Sequence, residues 1–217
     1  MFKIFKSDIK DILVCPRNIV YVGFFRKSLF YYFIAFTLML ILFSFFIGIL
    51  VHEFSNKSEV VIPKNITFFK VAIISPIMEE ILFRLLIIKN KYNLVLFSVF
   101  FLISFLYEKF VLSTVLYYVF NISFLLLFVS KKFNYKLNIS DDKSLMLPII
   151  YFSCLLFGVF HLSNFNNLNT LNIVIVLYIF SKIISGFIFS LLRLKFGIAA
   201  SIALHIFLNS FSYILIS

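Results

Sequence analysis

Residues 29–51 (LFYYFIAFTLMLILFSFFIGILV) run for 23 positions without a charge. At about 1.5 Å per residue, a helix of that length crosses the ~30 Å hydrocarbon core of a bilayer. In lipid every backbone N–H and C=O must find a partner inside the segment, so such a run is restricted to a helix. Four further apolar runs, 110–129, 145–162, 172–194 and 196–215, are also long enough to cross, and the stretch at about 67–88, which holds Glu79, Glu80 and Arg84, reads as the second span. The run 94–107 is short for a crossing and suits a re-entrant segment equally well. These runs predict an all-α, polytopic transmembrane helical bundle of about seven spans (six to eight) in the cell membrane. A mean hydropathy of +1.09 with 63% hydrophobic residues excludes an ordinary soluble domain.

The net charge of +11 would raise the question of nucleic acid in a soluble protein. Here the basic residues sit in short segments between apolar runs, so the lipid bilayer is the expected partner and nucleic acid is not. With the N-terminus inside and seven spans, the cytoplasmic segments hold Lys3, Lys6, Lys10, Arg17, Arg26, Lys27, Lys89, Lys91, Lys131, Lys132, Lys136, Lys143, Arg193 and Lys195. The exterior segments hold only Lys57, Lys64, Lys70 and Lys109. Fourteen against four is an asymmetry that supports a cytoplasmic N-terminus.

Two units follow from this layout: a basic cytoplasmic or interfacial segment at 1–28, and a transmembrane helical domain at 29–217. The basic segment lacks the long apolar core of a cleavable signal peptide. Cys15 and Cys154 form no disulfide or metal-binding pattern.

Charge inside the apolar runs is where chemistry is expected, because an ionised side chain at membrane depth is costly unless paired, wetted or used. Glu79 and Glu80 are adjacent in SPIMEEILFR, His161 closes FGVFH, and His205 and Asn209 share HIFLN. Neighbouring residues on a helix point about 100° apart, so the two acids face different surroundings. Glu80 and Arg84 are four apart on one face, acid first, and are expected to pair as structural support. Glu79 has no polar partner on its own helix and is left as a candidate general base. His205 and Asn209 lie one turn apart on one face, with Ser201 a turn before.

A carboxylate, two imidazoles and a carboxamide match the needs of water-mediated amide hydrolysis. Glu79 with one histidine can position and deprotonate a water, while the second histidine and Asn209 donate to the developing oxyanion. No serine or cysteine nucleophile stands out. No cofactor is expected, with zinc held by Glu79, His161 and His205 as the competing chemistry.

In order along the chain, Glu79-Glu80-x-x-x-Arg84, Phe157-x-x-x-His161 and His205-x-x-x-Asn209 resemble the three motifs of the CPBP family, the CAAX protease and bacteriocin-processing (Abi) membrane proteins. The resemblance covers about residues 67–215. It implies a glutamate-dependent intramembrane peptidase in which Glu79 and His161 activate water, His205 and Asn209 hold the oxyanion, and Glu80 and Arg84 support the site. It further implies a peptide or protein substrate at the membrane, in bacteriocin or signal-peptide processing or in self-immunity. The other class of function is a non-catalytic bacteriocin-immunity or scaffold membrane protein. Oligomeric state is left open.

Two details sit apart from the motifs. If 67–88 and 145–162 are full crossings, Glu79 falls near mid-bilayer and His161 near the end of its span, a mismatch on the order of 10 Å. Lys182, mid-span in IFSKIISGF, is expected to snorkel.

Overall fold

The structure is a computed structural model that describes residues 2–16, 19–22, 27–54, 67–88, 91–107, 146–164 and 173–216. The expected span at 110–129 and the loops around 55–66 and 130–143 lie outside the described residues. Among those described, the chain is all-helical: α1 (Phe2–Val14), α2 (Lys27–Phe54), α3 (Ser75–Arg84), α4 (Lys91–Tyr107), α5 (Met146–Phe160), α6 (Ile173–Phe196) and α7 (Ile198–Ile216). One helix is long and apolar enough by itself to cross a membrane, over Ile175–Phe196; Ser28–Phe43, Met146–Phe160 and Ile198–Ile214 are shorter apolar helices.

Polarity is arranged inside out. Phe30, Ile34, Leu38, Leu42 and Phe46 recur every four residues along α2 and are all exposed. The bundle interior instead holds Glu79, Glu80, Arg84, Ser201 and His205 among apolar side chains. An exposed apolar stripe of this kind suits contact with lipid better than contact with water.

α6 is the central element and packs on α5, α7 and α2. Its contact with α5 is close because Gly158 gives the facing helix room. A Cβ at Gly158 would stand 2.6 Å from Ile183 Cγ1 and 3.1 Å from the Ile179 carbonyl oxygen. Small residues at such crossings let helix backbones approach. Gly158→Ala is therefore expected to push α5 off α6 and to lower stability by about 1–3 kcal/mol, read as a lower unfolding midpoint in detergent titration. The turn from α6 to α7 is a single residue, Gly197, at φ +95°, a conformation that favours glycine. Its N–H donates to the Arg193 carbonyl, and the reversal lays α7 back along α6.

α1 is tied to the bundle through buried polar groups. Asp8 accepts hydrogen bonds from Tyr32 on α2 and from Lys195 at the end of α6. The Tyr151 hydroxyl of α5 donates to the Leu13 carbonyl at 2.8 Å. The basic N-terminal segment is thus packed on the helical domain, at the end of the bundle that carries Lys195.

Candidate active site

α3 is entered through a π turn, Lys70–Ile74, with Pro76 in the first turn of the helix that follows. In that register the Ser75 N–H donates to the Lys70 carbonyl, five residues back. The next donor in the series belongs to Pro76, which has no N–H, so the Val71 carbonyl is left without its helical partner. Asn209 of α7 supplies one, its Nδ2 donating to the Val71 oxygen at 3.1 Å. Single π turns are frequent at functional sites, and this one fixes α7 against the start of α3.

Glu79 and Glu80 leave α3 in different directions. Ser75, one turn earlier, donates to Glu79 Oε1 at 2.7 Å. That bond holds the carboxylate so that its other oxygen, Oε2, faces both imidazoles: 3.6 Å to His205 Nε2 and 3.9 Å to His161 Nε2. Each ring is fixed from behind. His161 Nδ1 lies 2.7 Å from the Phe157 carbonyl. A carbonyl only accepts, so the hydrogen is on Nδ1 and the neutral ring turns a lone pair toward Glu79. His205 Nδ1 lies 3.0 Å from Glu80 Oε1, which fixes its tautomer in the same way. With His205 neutral the three groups that converge are all acceptors, and Glu79 Oε2 is buried with no hydrogen-bond partner among the described residues.

Phe157 and Phe189 build the walls. Phe189 stacks on His205 with centroids 4.5 Å apart and planes 18° from parallel. Phe157 meets His161 edge-on at 4.7 Å and His205 at 5.9 Å. These contacts restrict both imidazoles to one orientation.

The expected Glu80–Arg84 pair does not form. Glu80, fully buried, accepts from His205 and from the Ser201 hydroxyl, both on α7. Arg84 is also fully buried, but its guanidinium lies over the Phe157 ring, 4.2 Å from the centroid, and its nitrogens make no hydrogen bond among the described residues. Helical spacing lets the two residues meet, yet α7 brings two fixed donors to the carboxylate, and the ring face attracts the cation. Both residues brace the site, each against a different neighbour.

The anticipated depth mismatch is also absent. It rested on α5 being a full crossing, whereas α5 has 15 residues and is about 22 Å long. The helix stops short, and a 3₁₀ turn, His161–Asn164, continues from it. His161 Nε2 lies 3.9 Å from Glu79 Oε2, so the two residues meet at one level. Of the four expected catalytic residues, Glu79, His161 and His205 are brought together. Asn209 lies on the same face of α7 as His205 but is bonded to the Val71 carbonyl; its amide has a second N–H that this bond does not use.

Several side chains in the site carry no motif signal. Ser75 orients Glu79, and Phe189 orients His205. Tyr178 and Lys182, on α6, lie beside His161, with the Tyr178 ring centroid 6.3 Å from the imidazole and Lys182 Nζ 5.2 Å from the Tyr178 centroid. The stripe Tyr178, Lys182, Gly186, Phe189 faces the site, and Lys182 is half-buried on it. The available signal was the spacing of Lys182 from Gly186, which packs against Arg84. No protein-family model, curated protein or solved structure matches this chain.

Proposed function

We propose that the chain is a multi-pass intramembrane endopeptidase of the CPBP type that cleaves a peptide or protein tail near the bilayer. The observation that carries this reading is the convergence of Glu79 Oε2 on His161 Nε2 and His205 Nε2 at 3.9 and 3.6 Å, from three separate apolar helices. Glu79 Oε2 and His161 Nε2 suit the two hydrogens of one water. Glu79 takes its proton while His161 holds its orientation, and the water oxygen attacks the scissile carbonyl. The oxyanion then needs donors. Asn209 has an N–H to give, and His205 has one at Nε2 when both its nitrogens are protonated, a form for which the Glu80 carboxylate is the counter-ion. Protonated Glu79 returns the proton to the leaving amine. Around this site the fold reads as about seven spans with a cytoplasmic N-terminus, supported by the fourteen-to-four distribution of basic residues and by the exposed apolar stripe of α2. Bacteriocin or signal-peptide maturation and self-immunity are the roles that the family resemblance suggests.

The test is hydrolysis of a peptide mixture by the purified protein in liposomes, read by mass spectrometry. His161→Ala is expected to lower the rate about 10²-fold, and a strong chelator is expected to leave it unchanged. A second reading is favoured by the same acceptors: two imidazoles, each bonded at Nδ1 to an oxygen, with one carboxylate, form a donor set that zinc takes. Among the described residues, however, no group of three such side chains is close enough to hold a metal ion as it stands. Loss of activity on chelation, restored by zinc, selects that reading. Peptide binding or protection that survives Glu79→Gln selects the non-catalytic immunity or scaffold role.

A further inference from the structure

Lys182 is a charge that the hydrolytic scheme does not use. It lies on the stripe of α6 that lines the site, one turn after Tyr178, one before Gly186 and two before Phe189, the residue stacked on His205. It is half-buried. Its ammonium stands over the Tyr178 ring at 5.2 Å and is near enough to Glu79 and His161 to interact with the charge of each. Even so, it forms neither an ion pair nor a hydrogen bond with any described residue. Arg84, the other cation of the site, is sealed beneath Phe157 and fully buried. An ammonium at membrane depth is costly without a partner, and intramembrane cations commonly mark where a substrate or ion passes. The ring face beneath Nζ stabilises the cation in part and leaves its outer side for an anion.

We propose that Lys182 is the anion anchor of the substrate, holding a peptide carboxylate beside the Glu79–His161 pair and so selecting peptides with a carboxylate within a few residues of the scissile bond. This deepens the peptidase reading and rests on it for the word substrate. A chain terminus and an Asp or Glu side chain present the same chemistry. Lys182 is a positioning residue: it sets which bond lies over Glu79 and takes no part in moving protons.

The experiment uses the full-length protein in nanodiscs with short randomised apolar peptides in three forms: free acids, C-terminal amides, and amides carrying one aspartate. Binding is read by fluorescence anisotropy and cleavage by mass spectrometry. Wild-type protein is expected to bind and cut free acids about tenfold better than plain amides. Lys182→Gln should erase that preference by losing affinity for acids alone, with an unchanged melting profile, and Lys182→Arg should keep it. Aspartate-bearing amides that match free acids assign the anchor to a side-chain carboxylate; if they behave as plain amides, the chain terminus is the ligand. Equal binding of acids and amides by wild type, or a preference that persists in Lys182→Gln, overturns the anchor. Carboxylate-dependent binding without any cleavage upholds the anchor and rejects the peptidase.

Discussion

Glu79→Gln is expected to lower peptide hydrolysis by about 10³–10⁴-fold while leaving the folded protein intact. Glutamine has nearly the same shape and can still accept the Ser75 hydroxyl bond through its carbonyl oxygen, so α3 keeps its local geometry. What is lost is the only carboxylate oxygen that faces both imidazoles among the described residues. The amide nitrogen in its place cannot take a proton from water. It can instead donate to His161 Nε2, occupying the acceptor that orients the water. Activity and melting profile are measured on the same preparation. Wild-type cleavage by this variant removes Glu79 from the chemistry and, with it, the peptidase reading. A collapsed melting profile would show instead that the carboxylate is needed to hold the bundle together.

The helical class was legible because charge-free apolar runs leave the backbone few options, and the residues that meet were legible because ionisable groups stand out in such runs. How they meet was less so. Helical spacing suggested Glu80 with Arg84 because a sequence shows partners on the same helix and hides those on others. His205 and Ser201 lie more than a hundred residues away and win Glu80 by packing. Reading 145–162 as one straight crossing misplaced His161, because the α-helix ends at Phe160 and His161 opens a 3₁₀ turn. The Val71–Asn209 bond shows the opposite case. Pro76 announces that a carbonyl upstream lacks its donor, and Asn209 is a side chain able to fill it; only the π turn that selects Val71 was hidden. For Lys182 the sequence shows a mid-span position one turn after Tyr178; that this stripe of α6 lies beside His161 comes from the packing.

Replacing Glu80 should separate support from chemistry. Its carboxylate accepts from His205 Nδ1 at 3.0 Å and from the Ser201 hydroxyl, with no exposed surface. Glu80→Gln keeps the volume and one accepting oxygen. If that oxygen stays on His205, the amide N–H groups face Ser201, whose hydroxyl can turn to the Phe189 carbonyl, already 3.2 Å away. The fold therefore tolerates the change, and the melting profile should stay near that of wild type. What does not survive is the negative charge behind His205. The doubly protonated ring that offers Nε2–H to an oxyanion loses its counter-ion, so kcat is expected to fall about 10²–10³-fold with KM little changed. Glu80→Ala is a different experiment. It leaves the buried His205 Nδ1–H without an acceptor, Ser201 keeping the Phe189 carbonyl, and removes a charged partner from the interior, a loss of about 3–5 kcal/mol that should appear as unfolding at lower denaturant. Kinetics and stability thus part company between the two variants. If Glu80→Gln hydrolyses peptides as fast as wild type, the charge behind His205 plays no part in catalysis, and the oxyanion must rest on Asn209 or on groups outside this cluster.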